Sequence, residues 1–122
     1  MSVTSFGLRV FAMVLLEMSV VPMDAGESVS AQVAECIDLI DASGLAYEVH
    51  AMGTIIEGEL PEVLHLMQRC IEHLATTSRR VTCSAKLDYR RGYTGRLRGK
   101  VASVEEKLGR PLNRTEPVFK LP

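Results

Sequence analysis

Tryptophan is missing from this 122-residue chain, and aromatic residues make up only 5% of it. A core of stacked rings is thereby excluded, and aliphatic and sulfur side chains have to fill it. An excess of one charge is missing too, since 14 Lys and Arg stand against 15 Asp and Glu, a formal net charge of −1. That balance supplies no overall field toward nucleic acid or anionic membrane, so neither is an expected partner. The three cysteines, Cys36, Cys70 and Cys83, form no Cys-x-x-Cys pair. An odd number without metal-type spacing argues against a disulfide framework or a zinc site, and it fits a reducing cytoplasm. His65 and His73 have no third ligand candidate nearby and are expected at the surface. A long apolar run is also lacking. The stretch from Val10 to Leu16 is broken by Glu17, has no small-residue cleavage site after it, and is far short of the ~20 residues that span a bilayer. Met13 is a candidate internal start, which makes residues 1–12 an expected N-terminal extension.

What is present is alternation. In Val14–Val21, Leu16, Met18 and Val20 share one side and Leu15, Glu17, Ser19 and Val21 the other, the period of a strand. Pro22 ends it. From about Ser30 to Ser43, Val33, Cys36, Ile37 and Ile40 recur at helical spacing behind two candidate N-caps, Ser28 and Ser30. Tyr47–Leu60, YEVHAMGTIIEGEL, predicts a hairpin that reverses at Met52-Gly53. Pro61 opens a second helix, expected to reach Thr76, with Val63, Met67, Cys70, Ile71 and Leu74 as its stripe. Arg80–Asp88 alternates again as a fourth strand. Tyr89–Gly99 reads as a glycine-containing connection, and a short helix over Ala102–Leu108 closes at Gly109.

The order β-α-β-β-α-β plus a final helix predicts an α+β, ferredoxin-like sandwich, with both main helices on one face of a four-stranded antiparallel sheet. The domain is expected over residues 13–109, with 110–122 as a C-terminal tail. One sheet face then lacks a helix. It should carry Glu17, Ser19, Glu48, His50, Thr82, Ser84, Lys86 and Asp88, with Leu15, Val21 and Met52 among them, and Glu17 should stand across from Lys86 or its neighbours. Hydroxyls, charges and apolar patches mixed in this way suit a cavity or a subunit interface.

The segments MVLLEMSVVPM, YEVHAMGTIIEGEL, KLDYR and GKVASVEEKLG resemble the MTH1187/YkoF-like thiamine-binding family (UPF0045-type) of small ferredoxin-like proteins, over roughly Met13–Gly109. The resemblance implies a non-enzymatic binder of thiamine or its hydroxymethylpyrimidine moiety, built as dimers that pair into tetramers and using no cofactor or metal. For such a ligand, Glu17 or Glu57 would balance the thiazolium charge or accept from the pyrimidine amine. Ser19, Thr54 and Ser84 would supply neutral hydrogen bonds, Met52 or Tyr47 would pack on a ring, and Lys86 would border the site beside Glu17. Two other readings stand beside this one. One is an enzyme using Lys86, Asp88 and His50; the other is a structural or regulatory oligomer that binds a different metabolite, through the Arg-rich segment for example.

Overall fold

A computed structural model describes residues 13–24, 26 and 29–113. The expected N-terminal extension and most of the expected tail lie outside the described residues. Seven elements follow in the order β1 (Met13–Pro22), α1 (Ser30–Ala42), β2 (Ala46–His50), β3 (Gly53–Glu59), α2 (Leu60–Ala75), β4 (Val81–Asp88) and α3 (Arg96–Leu108). The sheet order is β2-β3-β1-β4, antiparallel at every pairing, so the fold is the ferredoxin-like α+β arrangement that the alternation predicts.

Val14, Leu16, Met18 and Val20 of β1 point to the helix side with Ile56 of β3, and Cys36, Ile40, Val63, Leu66, Cys70 and Leu74 close over them. Leu16, Ile40, Ile56, Leu74, Val14 and Val63 are all but fully buried, each stabilising the fold by about 1.5–3 kcal/mol. Cys36 and Cys70 face one another across α1 and α2, and each thiol approaches the other residue's carbonyl oxygen at 3.8–3.9 Å. Contact with Cys36 and burial push the Cys70 thiol up, and burial does the same to half-buried Cys83.

Helix starts are where the structure departs from expectation. Val29, not a serine, occupies the N-cap of α1, with no side-chain cap bond. α2 is capped by a box in which the backbone N–H of Glu59 donates to Glu62 Oε1 at 2.9 Å, with Pro61 in the first turn. α3 begins at Arg96 rather than Ala102, behind Gly95 in the left-handed region at φ +66°. Its first turns lie over the sheet face expected to be bare.

Gly53 fixes the hairpin by close approach. Its φ is +155°, and a Cβ there would stand 2.7 Å from the backbone oxygen of Met18. Gly53→Ala is therefore expected to cost more than about 1 kcal/mol in chemical denaturation, because the β1–β3 backbones would have to part. An unchanged midpoint would contradict this close approach.

Candidate binding site

Cross-strand register lays out the open face in rows. One row runs Ala46, Glu57, Leu15, Asp88 from β2 to β4; the next runs Glu48, Ile55, Glu17, Lys86, about 6.7 Å further along. Glu17 thus sits mid-sheet and directly across from Lys86, within the expected range of Lys86 or its neighbours. Its close contact, however, is His50, whose Nε2 lies 3.4 Å from Glu17 Oε2. His50 Nδ1 accepts from the backbone N–H of Met52 at 3.2 Å, so the neutral ring carries its proton on Nε2, facing Glu17.

Above the first row lies the start of α3. Glu57 is only 5% exposed although it belongs to the open face. Its carboxylate accepts from the backbone N–H of Arg96 at 2.8 Å and more loosely from that of Leu97 at 3.4 Å. These are donors that a helix leaves free at its N-terminus, where a negative charge also meets the positive end of the macrodipole. A β3 side chain therefore does for α3 what no residue beside Gly95 does. Nη2 of the buried Arg96 pairs with Asp88, which also accepts from Lys100 Nζ at 2.9 Å. The Lys100 ammonium first, and the Arg96 guanidinium with it, holds the Asp88 carboxyl below its ordinary value of 3.8.

Between α3 and the sheet is a cavity of about 460 Å³ with Leu15, Ile55, Leu97 and Val101 as apolar walls and Glu17, Lys86, Asp88, Arg96 and Lys100 as polar ones. Its size is within the usual range for small-molecule sites, and a few convergent polar groups on apolar walls is their usual make-up. It continues past Glu17 and Lys86 into a groove of about 280 Å³ bordered by Ser19, Met52 and Ser84. Among the described residues no His, Cys, Asp and Glu side chains gather in threes to hold a metal ion, and no helix is long and apolar enough to cross a membrane.

Residues 16–105 match the model of a family described as thiamine-binding protein. The chain belongs to this thiamine-binding family. The UPF0045 protein Mb1933 of Mycobacterium bovis is 41% identical over 99 residues, 80% of this chain and 97% of that protein. A crystal structure of hypothetical protein MJ1052 from Methanocaldococcus jannaschii superposes with a TM-score of 0.72 at 31% identity, over 77% of this chain and 97% of the other. TM0486 of Thermotoga maritima, at 24% identity, TM-score 0.65 and coverage of 75% and 98%, shares the fold.

In this member of the thiamine-binding family, five of the eight site residues expected from sequence come together: Glu17, Ser19, Met52, Ser84 and Lys86 all border the groove. Glu57 is on the same face but is occupied as the cap of α3. Tyr47 and Thr54 are not brought to that face. They pair with Ile56 and with Met18 and Val49 on the helix-covered side, where the Tyr47 hydroxyl donates to Asp41 Oδ1 at 2.8 Å and Thr54 is buried. The cavity walls Ile55, Leu97 and Val101 and the charged Arg96 and Lys100 are the residues sequence reasoning missed as site members. Their signal was the spacing Leu97, Val101, Val104, Leu108, an apolar stripe at i, i+4, i+7, i+11, hidden by Gly95 and Gly99.

If Glu57 holds α3 in place, Glu57→Ala should weaken the cap by about 0.5–2 kcal/mol. Amide hydrogen exchange is the readout: protection is expected to fall in the first turns of α3 while α1 and α2 keep theirs. Equal protection in both proteins would mean that the cap is not what seats the helix.

Proposed function

We propose that this protein binds thiamine, or its hydroxymethylpyrimidine moiety, without catalysing a reaction, and does so in the cytoplasm as a homo-oligomer of dimers paired into tetramers. The observation that carries the reading is Glu17 in the floor of an apolar-walled cavity, in a chain whose family is described by thiamine binding. A thiazolium ring is a cation with an apolar body. It suits a carboxylate set among Leu15, Ile55, Leu97 and Val101, while Ser19, Ser84 and Lys86 offer the pyrimidine hydrogen-bond partners along the groove. Catalysis by Asp88, Lys86 and His50 is disfavoured by placement. Asp88 is tied up by two cations and held in its charged form, and His50 is turned to Glu17 and the hairpin backbone.

Self-association is supported by apolar surface that one chain does not cover. Val101, Val104 and Leu108 on α3 are 38–51% exposed, and Met52 at the hairpin tip is 82% exposed. A second copy over this face would close the site and exclude water from Glu17, whose side chain is 49% exposed in the single chain.

Glu17→Gln keeps the shape and removes the charge. In a closed site the loss of thiamine affinity by calorimetry is expected at about 2–5 kcal/mol, whereas an open surface contact would lose under about 1 kcal/mol. The oligomer mass by light scattering should be unchanged and above that of one chain. Undiminished thiamine binding would remove Glu17 as the charge partner; a variant that falls to monomers would make Glu17 an interface residue instead.

A further inference from the structure

The cavity between α3 and the sheet shares Arg96 and Lys100 with a second one of about 400 Å³ beside the start of α3. The second cavity is lined by Arg90, Tyr93, Thr94, Arg96, Lys100 and Ser103, along with Gly95 and Gly99. Three of these side chains are cations, three carry hydroxyls, and none is a carboxylate. The acids nearby are Asp88, which binds Arg96 and Lys100, and Glu57, whose oxygens are taken by the α3 backbone. The surroundings keep an excess of positive charge after that pairing.

Arg96 adds an independent observation. Its side chain is only 8% exposed, one nitrogen is paired with Asp88, and the other two, Nε and Nη1, are buried with no hydrogen-bond acceptor among the described residues. Buried donors on a charged group are costly to leave without acceptors. The adjoining wall also stays clear of side chains, since a Cβ on Gly99 would meet nothing within 4 Å.

We infer that the ligand is a phosphate monoester, of thiamine or of its hydroxymethylpyrimidine moiety, with its ring in the Glu17 cavity and its phosphate between Arg90, Arg96 and Lys100. This deepens the thiamine reading and rests on it. A phosphate brings three strong acceptor oxygens and a negative charge, which suits a cavity walled by Arg90, Arg96 and Lys100. A free alcohol in the same place would bring one. The charge order across the two neighbouring cavities, carboxylate Glu17 in one and three cations around the other, matches a zwitterion with a cationic ring and an anionic tail. Arg90 is held over the Tyr93 ring, 3.5 Å from its centroid, which keeps its guanidinium at the cavity rim.

Calorimetric titration of the full chain tests this with four ligands: thiamine, thiamine monophosphate, hydroxymethylpyrimidine and its phosphate. The expected result is that each phosphorylated ligand binds about tenfold or more tightly than its parent alcohol, the scale of one charge-assisted hydrogen bond. Whichever parent alcohol binds best indicates the source of the phosphate ester. In Arg90→Gln, a change at an exposed position, the phosphate preference should shrink severalfold while the affinity for thiamine itself holds. Binding of thiamine and its monophosphate with equal affinity overturns the inference and leaves the thiamine reading standing. A full preference that persists in Arg90→Gln overturns the placement of the phosphate. Failure of all four ligands to bind removes the underlying reading as well.

Discussion

A single buried carboxylate decides what the open side of this sheet becomes. Without Glu57, α3 would be a short helix with glycine at its N-cap and another in its first turns, and isolated helices of that length are marginal in water. With Glu57 accepting from Arg96 and Leu97, the helix start is pinned above β3. Every other feature of the site follows from that position. Leu97 and Val101 come to face Leu15 and Ile55 and turn a flat sheet into a cavity; Arg96 is buried beside Asp88; Lys100 joins the same carboxylate. Glu57 is thus not free to neutralise a ligand's charge, which leaves Glu17 for that role in the proposed site.

The strands were legible because one greasy face imposes a period of two, and β1, β2 and β4 keep it without a break. The faces followed from it, and the order of the elements then implied the ferredoxin-like sheet order with Glu17 across from Lys86 or a neighbour. β3 was harder. Ile55 and Ile56 are adjacent and both apolar, so alternation could not say which of Thr54 and Glu57 shared the open face; Ile56 took the core and sent Glu57 outward. The start of α3 was illegible for a different reason. Its cap is supplied by a residue some forty positions earlier, a tertiary contact with no local sequence trace, and the local signals, Gly95 and Gly99, pointed to a loop. Ser30 shows the converse: it lies inside α1, and Val29 takes the cap position, while Ser28 is outside the described residues.

The two faces also divide the chemistry. Tyr47 and Thr54 serve the helix-covered side, one by closing on Asp41 at the end of α1 and the other by packing under the core. Glu17, Ser19, Ser84 and Lys86 serve the other side, where the α3 stripe remains partly exposed. A membership in the thiamine-binding family and a cavity with a carboxylate among aliphatic walls point in the same direction. The proposal that joins them places ligand and second subunit on this one face.

The most direct test of that placement is a map of backbone amide chemical shifts during a thiamine titration. The account predicts that the largest changes fall on Leu15, Glu17, Ile55, Lys86, Leu97 and Val101, the floor and roof of the α3 cavity. Changes centred instead on Val33, Ile37 and Thr54, around the gap of about 320 Å³ between α1 and the sheet, would contradict it.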